Sequence, residues 1–242
     1  MASNTTRRRK AASRPRATLS PERILAAAMQ LALDSPEPLS LSRLGTALDA
    51  DPTAVYRHFH SRDDLLRAMA DAVHEEVDAE LDRIPGDAPW REALERQMWT
   101  IRRCFLRYPA LAREYCHRVS GGVHEARGVR KFADVLLREG LAPAEAVSVT
   151  RAAAVLVFGS VSMDAGFVLL PETAQREELG RLVGVYRPIS PEWALTVDVD
   201  DVVADLDTQF TLALELLLDG IGLRLARLRE GRSPRGRRRT PS

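Results

Sequence analysis

The chain is predicted to be all-α, and three features of its 242 residues predict it. Apolar residues recur at spacings of three and four along most segments, as in Leu41, Leu44 and Leu48, which is the period of a helix with one buried face. Pairs that start helices precede several runs. Ser20-Pro21 and Asp51-Pro52 each set a capping residue before a proline, which has no N–H to leave unpaired at the first helical position. Breaks such as Asp34-Ser35-Pro36-Glu37-Pro38 and Pro85-Gly86-Asp87-Ala88-Pro89 separate the runs. The expected architecture is an N-terminal three-helix helix-turn-helix domain joined to a C-terminal antiparallel helical domain.

Residues 1–19 form a basic arm, rich in Arg, Ser and Ala and expected to be disordered. The first helix opens at Ser20-Pro21, with Ile24, Leu25, Ala28, Leu31 and Ala32 on its inner face. A second helix is capped by Ser40 and turns at Asp49-Ala50, where a left-handed residue is expected and Asp tolerates that conformation better than most side chains. Asp51-Pro52 restarts the chain as a helix of barely two turns. Val55 and Phe59 face inward, leaving Thr53, Ala54, Tyr56, Arg57 and His58 outside.

A short helix after a tight turn can enter the DNA major groove while its partner lies across the backbone. Arg57 can fork onto a guanine edge, and the methyls of Thr53 and Ala54 can meet thymine. Tyr56 and His58 suit phosphate oxygens, and Ser40, Ser42 and Arg43 on the partner helix are candidate backbone contacts. The competing reading is a helical hairpin with a solvated face.

The run L-x-x-L-x-x-x-L followed by x-P-T-A-V-Y-R-H-F-x-S-R-D-D-L-L resembles the DNA-binding domain of the tetracycline-repressor (TetR) family of bacterial regulators, over about residues 24–66. The resemblance implies that Tyr56 and His58 hold phosphate, that Arg62 does so from the start of the fourth helix, and that Thr53, Ala54 and Arg57 approach bases. Two positions depart from the family pattern: Asp49 stands where glycine is usual, and Arg62 where lysine is usual. Arg62 keeps the charge but exchanges a point charge for a planar fork. PWREALERQMWTIRRCFLRYPALA and FTLALELLLDGI look like the start and the closing helix of the same family's second domain.

The fourth helix is expected over 61–84, continuous from one domain into the next, with the functional boundary near 75. The fifth, over 90–108, carries the stripe Trp90, Leu94, Gln97, Met98, Ile101, Phe105 and Tyr108, aromatic and adaptable with one amide, as a ligand pocket needs. A short helix over 110–117 and another helix over 123–139 follow. A very apolar helix spans 142–170, and Asp164 within it is read as capping, or pairing with an arginine at, the surface end of that helix in preference to lining a pocket, because an isolated interior carboxylate is costly. Residues 171–199 read as a long connection with one helical turn set at 173–183. The last helix, over 199–228, has one apolar stripe through Val203, Leu206, Phe210, Leu214, Leu217, Ile221, Leu225 and Leu228, and a second through Leu212, Leu216 and Leu223 on nearly the opposite side. A surface helix needs only one such face, so the second is assigned to another copy of the chain.

Composition bounds the rest. A net charge of +1 hides an uneven distribution, with six basic residues and no acids in residues 1–20, and eight arginines against Glu230 in 224–242. The middle holds 21 basic and 33 acidic residues, which argues against a general nucleic-acid coat and for contact through one small face. Cys104 and Cys116 lack CxxC spacing and read as buried thiols. Residues 1–17 have no apolar core of a secretory signal. The longest nearly apolar run, 152–163, falls short of the roughly 20 residues of a membrane span. No Gly-rich phosphate loop, nucleophile elbow or H-E-x-x-H occurs. Glu114, Cys116, His117, His124 and Glu125 match no strong zinc spacing.

The sequence thus leads to four expected parts: the arm 1–19, a DNA-binding domain over 20–75, a ligand-binding and dimerisation domain over 76–228, and a basic disordered tail over 229–242. The expected function is ligand-responsive regulation of transcription in the cytoplasm by a homodimer, a repressor released by a small molecule from a pseudo-palindromic double-stranded DNA operator. No enzyme activity, cofactor, metal or membrane is expected. The rival reading is a helical ligand-binding protein or enzyme whose helix-turn-helix is only structural. The expected pocket is lined by Trp90, Gln97, Met98, Ile101, Phe105, Tyr108, Tyr115, Phe158, Met163 and Phe167, between the 90–108, 110–117 and 152–170 helices. The expected dimer contact uses Val155, Val157, Val161, Leu212, Leu216 and Leu223.

Overall fold

The computed structural model describes residues 19–35, 37–190 and 206–232, which form ten helices and no strand. They are α1 Pro21–Asp34, α2 Leu41–Ala47, α3 Pro52–Val55, α4 Arg62–Leu81, α5 Trp90–Leu106, α6 Pro109–Tyr115, α7 Val123–Arg138, α8 Pro143–Val168, α9 Glu172–Tyr186 and α10 Leu206–Arg232. Residues 1–18, the expected helical start at 199 with Val203, and the tail from 233 onward lie outside the described residues.

Side-chain caps start the first four helices. Ser20, Ser40, Asp51 and Ser61 each accept a hydrogen bond from a backbone N–H of the first turn, satisfying donors that the helix leaves unpaired. Asp49 sits at φ 49°, the left-handed turn between α2 and α3. Proline decides the end of α5. Tyr108 precedes Pro109 and is driven out of helical geometry to φ −124°, ψ 63°, so α5 stops at Leu106 and α6 starts at the proline. Gly140 at φ 97° closes α7.

The N-terminal helices pack around Ile24, Ala28, Leu44 and Val55, all fully buried. α4 joins them to the rest. Leu65, Leu66 and Met69 serve the first core, while Val73, His74, Val77 and Leu81 enter the second. Each buried leucine there contributes about 1.5–3 kcal/mol relative to exposure. α8 is the centre of the second domain, packed against α5, α6, α7 and α10. It is long and apolar enough to cross a membrane by length and composition. Its inner face, however, is filled by Ala146, Val149, Ala153, Val157, Val161 and Ala165 against neighbouring helices.

Two expected elements are corrected. Residues 172–186 form a 15-residue helix, α9, with Leu179 and Val183 buried; their four-residue spacing is one buried edge within an otherwise charged run. The last helix runs on to Arg232, past the expected end at 228, and Arg229 pairs there with Glu139 at 2.8 Å.

Candidate DNA-binding face and ligand cavity

The α3 segment is held from both ends, and its outer surface is free. Asp51 Oδ1 accepts from the Thr53 backbone N–H at 2.8 Å and from the Thr53 hydroxyl at 2.7 Å. These bonds from Thr53 hold the Asp51 carboxyl below its usual value. The Thr53 methyl remains as its free surface. Val55 is fully buried, and His58 and Phe59 donate their backbone N–H to its carbonyl. Tyr56, Arg57 and His58 are exposed, Tyr56 to 47%, and Ala54 is half-buried. Among the described residues the Arg57 guanidinium makes no hydrogen bond or close ion pair, and only the more distant charge of Asp51 acts on it. Of the α2 candidates, Ser40 is committed to its cap on Arg43, Ser42 is exposed, and Arg43 reaches Glu37 at 3.1 Å.

Arg62 is placed differently from the expected phosphate anchor. Its Nε donates to the Leu39 carbonyl at 2.8 Å and its Nη2 to Glu114 of α6 at 2.5 Å. Neighbouring contacts repeat this clasp: Asp63 pairs with Arg118, and Arg67 donates to the Val119 carbonyl at 2.5 Å. The planar fork of arginine serves two acceptors at once, which the point charge of a lysine does less well. The first turns of α4 are therefore tied to α6 and to the segment that follows it.

A cavity of about 90 Å³ lies between α4, α5, α7 and α8. His74 and Val77 line it from α4, Gln97, Met98 and Ile101 from α5, and Val157 and Phe158 from α8. α7 supplies the fourth wall with His124, Glu125, Gly128, Val129 and Phe132. This corrects the expectation that α6 would wall the pocket. Gln97, Met98, Ile101 and Phe158 are at the cavity. Phe105 stands behind it, with its ring 5.1 Å from His74 and 5.4 Å from Phe158. Trp90 lies beside Gly222 of α10, Tyr108 donates its hydroxyl to Glu76 at 2.7 Å, and Tyr115 is buried on α6. Met163 is 77% exposed, and Phe167 is half-buried near the end of α8. A stripe on one helix names a face, and the cavity needs only the middle of it.

The polar groups at the cavity are few. Burial lowers the His74 pKa, outweighing Glu125 and Asp71, so its imidazole is neutral near pH 7. His124 Nδ1 is buried without a hydrogen bond, 3.6 Å from the Asp78 carboxylate. Gln97 Nε2 donates across the space to the Gly128 carbonyl on α7 at 2.7 Å. Asp71 of α4 accepts from the Glu125 backbone N–H at 3.4 Å and lies so close to Gly122 that a Cβ there would strike its carboxylate; this fixes α7 against α4. Among the described residues no three His, Cys, Asp or Glu side chains gather as metal ligands. Cys104 and Cys116 are buried free thiols, and burial pushes Cys116 up to about 12.

Sequence reasoning missed Arg102, which is 1% exposed. It pairs with Asp164, donates to Ser160 Oγ at 2.8 Å, meets Asp207 at 2.9 Å, and stacks its guanidinium 4.8 Å from the Phe210 ring. Asp164 thus pairs with an arginine, but in the interior and not at a surface end of α8 as expected. The arginine itself gave no signal, because a charged residue beside an apolar stripe reads as solvated.

α8 and α10 each carry exposed apolar residues. Val155 is 75% exposed, and Leu212, Leu216 and Leu223 are 53%, 65% and 63% exposed. Ala152 and Leu216 line one shallow groove between the two helices. Val157 and Val161 do not belong to this face. They are 1% and 0% exposed, in the protein's own core, because a two-residue step turns about 200° around a helix. Val147, Arg151, Ala152, Gly159 and Met163 take their place.

Comparison with known proteins agrees with this architecture. Residues 84–225 match the tetracyclin repressor-like C-terminal domain family. The chain is 33% identical over 157 residues to a helix-turn-helix transcriptional repressor of Mycobacterium tuberculosis, covering 62% of this chain and 59% of that one. The chain thus spans less than two thirds of that relative's length. It is 30% identical over 169 residues to a helix-turn-helix transcriptional regulator of Saccharopolyspora erythraea, covering 69% and 70%. A possible TetR family regulator of Streptomyces coelicolor superposes with TM-score 0.72 at 24% identity, over 84% of this chain and 99% of that one. ActR of Streptomyces coelicolor in complex with actinorhodin superposes with TM-score 0.67 at 23% identity, over 86% and 99%. Both show the same fold.

Proposed function

The chain belongs to the tetracycline-repressor-like family, and from that premise we propose that it is a homodimeric repressor released from a pseudo-palindromic operator by a small molecule. The observation that carries the proposal is α4. One uninterrupted helix of 20 residues packs on the DNA-binding helices through Leu65, Leu66 and Met69, with Arg62 donating to the Leu39 carbonyl, and lines the cavity with His74 and Val77 further along. A relative named as a repressor and a structural neighbour solved with actinorhodin support the reading.

The mechanism is a shift between two arrangements. The cavity of about 90 Å³ is smaller than the roughly 300–1,000 Å³ of drug-sized sites, so a ligand that fills it presses α7 and α8 away from α4 and α5. Because Asp71 ties α4 to α7, and Glu114 ties Arg62 to α6, which itself packs on α8, α4 carries the displacement to α3. The two recognition helices then leave the spacing of about one DNA turn that operator binding requires. Weakening operator binding a hundredfold requires about 2.7 kcal/mol of coupling, within the usual range.

Binding isotherms on duplexes selected from a random pool, repeated across salt concentrations, test the DNA-reading part. Arg57→Ala is expected to cost about 1–3 kcal/mol on the selected site and to relax one base position. An unchanged sequence preference would refute its base-reading role. Arg62→Ala separates two roles. A phosphate anchor weakens all duplexes alike and lowers the salt slope by about one, whereas a clasp leaves the slope and alters the response to ligand.

A further inference from the structure

We infer that the cavity is only the inner half of a longer channel, that Gln97 is the partition across it, and that its ligand is a slender apolar molecule ending in an anion. The inference rests on reading the core cavity as a ligand site. A second space, an open groove of about 380 Å³, is lined by Leu81, Asp82 and Ile84 from the end of α4, Ala93 and Gln97 from α5, and Lys131, Val135 and Arg138 from α7. It runs along the same three helices as the cavity, displaced by about one turn. Val77 lines the cavity and Leu81 the groove on α4; Ile101 and Ala93 flank Gln97 on α5; Gly128 and Phe132 give way to Lys131 and Val135 on α7. Gln97 lines both spaces, and its 2.7 Å bond to the Gly128 carbonyl spans α5 to α7 where they meet.

The Gly128 carbonyl lies within a helix, and the Gln97 amide, which also lines the open groove, exchanges its bond for one to water when it rotates that way. A Cβ placed at Gly128 meets nothing within 4 Å, so the opposite side of the partition is open. With Gln97 turned aside the two spaces join and reach the volume range of drug-sized sites. The inner part stays narrow, because about 90 Å³ is less than the roughly 150 Å³ of a cavity that takes a benzene ring. A single hydrocarbon chain is the shape that fits it.

Charge at the mouth sets the outer end. Lys131 is matched by Asp78 and Asp82, and Asp134 by Arg130 at 2.9 Å. Arg138 donates to the carbonyls of Gly86 and Ala88, and among the described residues it meets no carboxylate. A cation partnered only by neutral oxygens has unspent attraction for an anion, and arginine presents the fork that a carboxylate accepts.

Two probes test this: xenon, which occupies dry apolar cavities, followed by its NMR shift, and cis-parinaric acid with its methyl ester, followed by polyene fluorescence. The expected result is xenon uptake, with the acid bound at least tenfold more tightly than the ester. Arg138→Gln should remove that advantage. Gln97→Trp and, independently, Gly128→Leu should each weaken the polyene at least tenfold; both variants are checked for native helicity, and either one that folds suffices. Xenon uptake with no polyene binding, equal binding of acid and ester, or plugged variants that bind as before each overturns the channel while leaving the core cavity as a site. Uptake of neither probe overturns the core cavity itself, and the channel with it.

Discussion

Leu216→Glu combined with Leu223→Glu is expected to yield a folded monomer whose operator affinity falls about a thousandfold or more, to the level of non-specific binding. Both leucines are more than 60% exposed on α10, and Leu216 shares a groove with Ser148 and Ala152 of α8. Val155 and Met163 alone expose three quarters of their surface, and an apolar patch of this kind on a soluble protein marks an interaction site. Packing α8 and α10 against the same pair from a second copy buries both faces in one self-complementary four-helix contact. Gly159, with nothing within 4 Å of a Cβ, lets the helices approach closely. Glutamates at the two positions replace apolar surface of that contact with charge and leave the protomer core untouched, since Leu214, Leu218, Ile221 and Leu225 supply it. Sedimentation with circular dichroism reads the result. An unmutated protein that is monomeric at micromolar concentration would reject the dimer.

Arg102→Leu is expected to lower stability by about 3–5 kcal/mol, a fall in Tm on the order of 10 °C for a chain of this size. The substitution keeps most of the volume but leaves Asp164, whose side chain is 14% exposed, without its cation, and deprives Ser160 of a donor. Asp207 adds little, since its side chain is 74% exposed. The double variant Arg102→Leu with Asp164→Leu is expected to regain most of the loss, because removing both members of a buried pair is far cheaper than removing one. Urea unfolding of the three proteins decides the matter, and a single variant within about 1 kcal/mol of the unmutated protein would show the pair to be incidental. The effect reaches the dimer. Arg102 is the polar tie from α5 to α8 and α10 together, so the single variant should also shift the monomer–dimer equilibrium.

What the sequence determined by itself is what depends on neighbours a few residues away. Ser20, Ser40, Asp51 and Ser61 cap the helices they precede, because a cap is a bond across three residues. The left-handed Asp49 and the exposed Tyr56-Arg57-His58 follow from the spacing of Leu44, Leu48, Val55 and Phe59. The second apolar face of the last helix was legible for the same reason, since period alone separates Leu212, Leu216 and Leu223 from Phe210 and Leu214. Only the tertiary structure decided which faces meet. α7 walls the cavity although its pattern shows an ordinary amphipathic helix, and α6 instead holds Arg62. Val157 and Val161 turn inward while Val155 stays outside, because in a helix apolar nearly all round no periodicity marks the inner side. Arg102 is buried because Asp164 and Asp207 arrive from helices 62 and 105 residues away in sequence. A charge is accepted in a core only where distant chain brings its partner, and that pairing is set by packing, which no local pattern encodes.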